Sequence, residues 1–149
     1  MSYTNVLNSV YAQATAVTGF SSANVSRQNF NILHTGQGSA CVIAYDSFQQ
    51  TIAEMGGEHH IQWRFLLGLY SRASGLDAAA VSANLATVRQ GFIDRFNSYP
   101  KLGGTASIFH SIVEAGQESP ERLELGGVSY AYEVLRLMAI EEVDAGYLE

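Results

Sequence analysis

Histidine is the residue type in this chain most often used for chemistry, and its spacing argues against a metal site. His59 and His60 are adjacent in a segment predicted to be a strand, so their side chains point to opposite faces. His34 and His110 lack a Cys, Asp or Glu at the spacing that metal ligands show. We therefore expect no metal and no cofactor, and we interpret the four histidines as surface or partly buried residues.

Cys41 is the only cysteine, which excludes an internal disulfide. It lies in the apolar run 40–44, which favours a buried and inert thiol over a nucleophile. The preceding segment Gly36–Cys41 superficially resembles a nucleophile turn. It lacks the second flanking glycine, and no strand-turn-helix pattern surrounds it, so a loop is the better interpretation.

Glycine pairs and carboxylates complete the search for chemistry. Gly103-Gly104 and Gly126-Gly127 lack the Lys-Ser/Thr of a phosphate loop and the spacing of a dinucleotide fingerprint, so both are predicted to be turns. Glu118, Glu121 and Glu124 lie in a loop without an apolar pocket that would raise a pKa. No catalytic residue is predicted, and the sequence favours a protein that is not an enzyme.

The first half of the chain predicts one helix followed by strands. Apolar residues at helical spacing indicate a helix over Tyr3–Thr18, ended by Gly19. Ala40–Tyr45 and Ser47–Met55 are predicted as two strands, the second closed by a turn at Gly56-Gly57.

A strand and a helix in the middle of the chain carry the clearest patterns. Glu58–Arg72 alternates as a strand does, and Ser74 with Asp77 resembles a capping box that begins a helix. Tyr99-Pro100 ends that helix, since proline disfavours the helical conformation of the residue before it. The predicted core residues are Ile61, Trp63, Phe65, Leu67 and Leu69 of the strand and Ala78, Val81, Leu85, Val88, Phe92 and Phe96 of the helix.

Gly126–Glu142 predicts a strand much longer than the usual five or six residues. As a helix its apolar residues would scatter around the whole circumference. We expect the apolar even positions to close the sheet over the second helix. The end of the strand is apolar on both faces, which suggests contact with a second copy of the chain. The candidate subunit-interface residues are Tyr130, Tyr132, Leu135, Leu137 and Ala139.

The order of elements predicts an α+β fold, an antiparallel sheet with two main helices on one face, in a single domain over residues 1–149. Thr105–Ala115 is predicted as a further strand and Gly116–Leu125 as a turn-rich connection. Asp144–Glu149 is an acidic tail for which we expect disorder.

Composition narrows the class of protein. Charged residues make up 15% of the chain, against about 25% in typical proteins, which is compatible with an assembly subunit or with a neutral-surfaced monomer. The net charge of −6, with Lys101 as the only lysine, argues against a protein that grips nucleic acid. The start of the chain shows no signal peptide, and no apolar run is long enough to span a bilayer.

The second helix ends in Phe96-Asn97-Ser98-Tyr99-Pro100-Lys101-Leu102-Gly103-Gly104, and the closing strand opens with Gly126-Gly127-Val128-Ser129-Tyr130. Together with the first helix, the strands at Ala40–Tyr45 and Glu58–Arg72 and the acidic end, this layout resembles the tail terminator or tail completion (minor tail) proteins of long-tailed bacteriophages. The resemblance covers most of the chain by pattern, although its motifs are short.

The resemblance implies a structural virion protein. Such proteins form a ring of six copies that caps the tail tube, stops its polymerisation and offers a surface for head–tail joining. The implied partners are other copies of the chain, the tail tube protein and the head–tail connector or stopper, while DNA passes through the lumen without specific binding. The implied location is the virion tail or neck, after assembly in the host cytoplasm, with no membrane partner.

Two other functions stay open at this point. A head–tail stopper or adaptor of the neck would share most of the same features. A small enzyme or ligand-binding domain using Cys41 or a histidine is disfavoured, because neither has a base, an orienting group or a metal partner in the sequence.

Overall fold

The computed structural model describes residues 3–27, 39–52, 58–73, 77–103, 108–115, 121–125 and 128–144. This part of the chain contains two helices and six strands. In chain order they are α1 (Tyr3–Thr15), β1 (Val25–Arg27), β2 (Ser39–Ile52), β3 (Glu58–Arg72), α2 (Ala78–Ser98), β4 (Ile108–Ala115), β5 (Glu121–Leu125) and β6 (Val128–Asp144).

The six described strands form one mostly antiparallel sheet in the order β1-β2-β3-β6-β4, with β5 also paired to β6. Only the pair of β1 and β2 is parallel within this described sheet. The strand β6 pairs with β3 from Tyr130 to Asp144. Its other edge is shared by β5 and β4, β5 pairing with residues 128–132 and β4 with residues 135–141. Strands of the same chain therefore pair with β6 along its whole length.

Both helices pack on one face of the sheet, and the main core lies between the helices and that face. Strand alternation turns Phe65, Leu67, Leu135 and Leu137 to this side, where each is at most 1% exposed. The rings of Phe20 and Phe92 meet edge to face with centroids 4.8 Å apart. The domain is therefore α+β with helices on one face of the sheet, as predicted.

Several predicted boundaries are confirmed. The strand β3 spans the predicted range Glu58–Arg72, and its predicted core face packs under the helices. In α2, Val81, Leu85, Phe92 and Phe96 are buried as the stripe predicted. The helix ends with a C-cap at Tyr99, directly before Pro100. The long final strand is confirmed as a strand.

Other predictions are corrected. The two strands predicted around Tyr45 are one strand, β2, whose pairing with β3 continues past a bulge between Tyr45 and Ser47 that shifts the register by one residue. The first helix ends at Thr15 rather than Thr18. Asp77 is the N-cap of α2, since its carboxylate accepts from the Ala80 N–H at 2.7 Å. The predicted loop contains β5 instead of continuous turns, because Glu121–Leu125 pairs with β6.

The remaining predictions fall outside the described residues. They concern the turn at Gly56-Gly57, the cap at Ser74, the start of the strand predicted from Thr105, and residues 145–149 of the tail. Asp144, the first residue of the predicted tail, is the last residue of β6.

Candidate subunit interface

The five candidate contact residues on β6 divide between the two faces of the sheet. Leu135, Leu137 and Ala139 point toward the helices and are at most 1% exposed in the chain's own core. Their interpretation as subunit contacts is wrong, because α1 and α2 cover the side of the sheet to which strand alternation turns them. The expectation that the even face closes over the second helix is wrong for the same reason.

Tyr130 and Tyr132 lie on the opposite side, here called the far face: the face of the sheet away from α1 and α2. Tyr130 is fully buried and Tyr132 is half-buried. The Tyr132 ring stacks on Tyr70 with centroids 5.6 Å apart and an interplanar angle of 25°. These tyrosines form a second, smaller apolar cluster with Ala40 and Val42. Whether Tyr132 contacts another subunit stays a prediction.

Gly68 gives the Tyr70 ring its place on the far face. A Cβ at Gly68 would lie 3.2 Å from Cε2 and 3.4 Å from Oη of Tyr70, so the ring lies over the glycine. Burial, and next the neighbouring Tyr132, raise the pKa of Tyr70 to about 12. The phenol therefore stays neutral in ordinary buffers and acts as packing.

A groove of about 510 Å³ opens farther along the far face, beside the edge strand β4. Its lining combines apolar and charged side chains from three neighbouring strands. These side chains are Arg64 and Leu66 of β3, Ile112 and Glu114 of β4, and Arg136 and Met138 of β6. Sequence reasoning missed this groove, although the alternation of β6 placed Arg136 among apolar even positions.

The groove is open to solvent and is lined by charged as well as apolar side chains. Arg136 and Glu114 are both exposed, and Ile112 keeps 42% of its surface in solvent. Glu114 lies opposite Arg136 in the antiparallel register, yet no hydrogen bond or ion pair joins them in the described part of the chain. Arg64 donates to the neutral Oε1 of Gln62 at 3.1 Å.

The turn after α2, which carries the motif Tyr-Pro-Lys-Leu-Gly, is closed by a hydrogen bond from the Leu102 N–H to the Tyr99 carbonyl at 2.9 Å. Leu102 is buried with a φ of 53°, and Gly103 follows with a φ of 77°. Arg95 places its guanidinium 3.9 Å from the centroid of the Tyr99 ring and donates from Nε to Oε1 of Gln13 at 2.9 Å. Tyr99 itself is 42% exposed. The motif therefore builds a hydrogen-bonded turn that exposes an aromatic side chain.

Cys41, His60 and His110 lie on three different strands of the sheet. Cys41 is fully buried in the main core, and burial raises the pKa of its thiol, as a packing role predicts. His60 is half-buried on β3 and His110 is exposed on β4. Across the described ranges, no three His, Cys, Asp or Glu side chains lie close enough together to hold a metal ion.

Comparison of the sequence with models of known protein families and with curated proteins finds no match. No helix in the described part of the chain is both long and apolar enough to cross a membrane.

Proposed function

We propose that this protein is a structural subunit of a phage tail, a tail terminator of the long-tailed type. Copies form a hexameric ring that caps the tail tube, stops its polymerisation and provides the surface for head–tail joining. The observation that carries the proposal is the division of the sheet into a face covered by both helices and a far face with an open groove.

Such a division suits a ring subunit. A core on one side of the sheet lets the single chain fold by itself. The exposed Ile112 and the half-buried Leu66 and Met138 then remain for a neighbour, and mixed apolar and charged patches of this kind mark interaction sites. A ring needs two different surfaces that meet head to tail, unlike the self-complementary surface of a two-fold dimer.

The turn after α2 gives a second line of support. Tyr99-Pro100-Lys101-Leu102-Gly103 belongs to one of the two motifs on which the resemblance to tail terminators mainly rests, and it forms a turn closed by a hydrogen bond from the Leu102 N–H to the Tyr99 carbonyl. Tyr99 and Arg95 stack at its surface, and both residue types are enriched in protein interfaces. The turn lies at the C-terminal end of α2, away from the groove, and thus offers a separate contact surface.

The charge balance fits a ring through which DNA passes. With 14 acidic against 8 basic residues, the subunit attracts phosphates weakly. A wall of like charge keeps DNA mobile, because it supplies no array of cations to bind the backbone.

The test is deletion of the gene from the phage that encodes it, followed by negative-stain microscopy of the tails. We expect tails of uncontrolled length that do not join heads, and restoration by the wild-type gene supplied in trans. Tails of normal length that still join heads would contradict the proposal.

A pull-down separates the terminator from its alternative, the head–tail stopper or adaptor. Purified protein is mixed in turn with tail tube protein and with the head connector. A terminator binds the tube, whereas binding to the connector alone favours the stopper.

A further inference from the structure

The strand β4 is an outer strand of the described sheet. It pairs with β6 along one edge and with none of the described strands along the other. An outer strand directs a row of backbone N–H and C=O groups away from its sheet, and these groups can pair with a strand of another chain. With eight residues, Ile108–Ala115 is longer than a typical strand of about five or six and offers a full row of such groups.

Three side chains of β4 reach the solvent on the far face. Strand alternation places His110, Ile112 and Glu114 on the same face, and all three are exposed. Ile112, at the centre of this row, keeps 42% of its surface in solvent. The row therefore runs from an imidazole through an apolar side chain to a carboxylate.

The row is complementary to itself when it is reversed. If two copies of β4 pair antiparallel about Ile112, then His110 of each copy lies opposite Glu114 of the other. An imidazole N–H can donate to a carboxylate whether or not the ring is charged. The two copies of Ile112 lie opposite each other and pack together. Each Glu114 also has Arg136 opposite it on β6 of its own chain, so the row across the sheet places a donor on both sides of the carboxylate.

The neighbouring registers lack this complementarity. A register centred on Ser111 would set Ile112 opposite His110. A register centred on Val113 would set Ile112 opposite Glu114 instead. Both registers replace the apolar pair with an apolar side chain against a polar one, so the cross-strand pairs favour the register about Ile112.

We infer that two copies of the free chain associate through β4, antiparallel about Ile112, and continue the sheet across a two-fold axis. A two-fold contact uses the same surface on both copies and is complete with two of them, whereas the ring proposed above needs two different surfaces. The dimer therefore belongs to the free protein, and it does not depend on the tail function. An edge of eight residues makes a small interface, so we expect the association to be weak.

Charge substitutions test the pairing. His110→Glu sets a carboxylate opposite a carboxylate twice in the dimer, so we expect its Kd to rise about tenfold or more. The double variant His110→Glu/Glu114→Lys places opposite charges at both contacts and should return the Kd to within about threefold of wild type. Asn84→Glu is the matched control, since it adds a carboxylate on the exposed side of α2 and should leave the Kd unchanged. Sedimentation equilibrium over a range of protein concentrations measures each Kd.

A cysteine pair tests the register. With the two-fold axis at Ile112, the Cα atoms of two Ile112→Cys residues lie about 4.5–5.5 Å apart, which suits a disulfide. His110→Cys is the matched control on the same strand, because its two copies lie about 14 Å apart at roughly 3.4 Å per residue. Under mild oxidation Ile112→Cys should form a covalent dimer on a non-reducing gel, and His110→Cys should stay a monomer. Cys41 is present in both variants and is fully buried.

Three results would overturn the inference. They are a wild-type chain that stays monomeric up to its solubility limit, a folded His110→Glu variant that associates as wild type does, and a covalent dimer that forms as readily from His110→Cys as from Ile112→Cys. Circular dichroism and urea midpoints check that each variant is folded. If His110→Glu does not fold, the cysteine pair decides the question alone. The tail-length experiment is separate, since normal tails from the deletion phage would reject the tail function and leave the dimer unaffected.

Discussion

Arg136 and Leu137 are consecutive residues of β6 whose side chains occupy opposite environments. Arg136 is exposed in the groove of the far face, whereas Leu137 is 1% exposed beneath the helices. This one-residue boundary between surface and core follows from the two-residue repeat of a strand. It decides which substitutions test the proposed interface and which test the fold.

Changing each of these neighbours to glutamate should separate folding from assembly. Leu137→Glu buries a carboxylate in the apolar core and should cost about 4 kcal/mol or more of unfolding free energy. Arg136→Glu should cost less than about 1 kcal/mol, because the side chain is exposed and only the repulsion between the new carboxylate and Glu114 on the neighbouring strand is added. Urea denaturation followed by circular dichroism measures both. Equal losses of stability would contradict the assignment of the two faces.

The ion pair between α2 and β6 should stabilise the packing of the helix against the sheet. Nη1 of Arg89 lies 3.2 Å and 3.1 Å from the two carboxylate oxygens of Glu133, which is only 6% exposed. Arg89→Met leaves that buried carboxylate without its cation and should cost about 1–3 kcal/mol. Adding Glu133→Leu should recover part of the loss, whereas Asn84→Met on the exposed side of α2 should be nearly neutral. Additive costs in the double variant would show that the pair is not coupled.

Gly103→Ala should destabilise the turn more than Gly19→Ala destabilises the turn after α1. Both glycines have a positive φ, 77° and 87°, so an alanine costs about 1–2 kcal/mol at either position. At Gly103 the new Cβ would also lie 2.7 Å from Nε2 of Gln13, while nothing lies within 4 Å at Gly19. Gln13 is buried and bonded to Arg95, so it cannot move away freely. Thermal unfolding of the two variants side by side measures the difference, and similar melting temperatures would exclude the clash.

Tyr70 should make the fold sensitive to alkaline pH. Burial, then Tyr132, then Cys41 raise its pKa from 10.0 to about 12. The unfolded chain loses this proton first, so the contribution of Tyr70 is complete below pH 10 and is lost as the pH rises toward 12. Tyr70→Phe should lose less stability than wild type over this window, and the exposed Tyr99→Phe should behave as wild type. Parallel urea curves for wild type and Tyr70→Phe at every pH would contradict the expectation.

Cys41 should react with thiol reagents only after unfolding. It is fully buried, its pKa is raised by that burial, and it is the single cysteine of the chain. Labelling with a chromogenic disulfide at mildly alkaline pH should therefore be slow in buffer and fast in urea, and Cys41→Ala should give no signal. Rapid labelling of the native protein would revive the hypothesis of an enzyme that uses this thiol.

Local patterns were sufficient for most of the elements. The alternation of Glu58–Arg72 predicted β3 correctly, and the apolar stripe from Val81 to Phe96 predicted the core side of α2. A repeat of two residues is typical of a strand, and a repeat of about 3.6 residues is typical of a helix. The sequence patterns did not predict β5, which lies in the segment expected to be a turn-rich connection. A strand of five residues depends on the partner that it pairs with, and Glu121–Leu125 alone carries too weak a pattern.

The candidate interface shows what such sequence patterns do not predict. The sequence by itself determined that β6 is a strand with apolar residues on both faces and that Cys41 lies in an apolar run. Only the tertiary structure decided that Leu135 and Leu137 lie under the helices, and that Arg136 lies with Glu114 and Arg64 in a groove. The physical reason is that alternation divides a strand into two faces but does not say which face a distant helix will cover. That choice depends on packing between residues far apart in the chain.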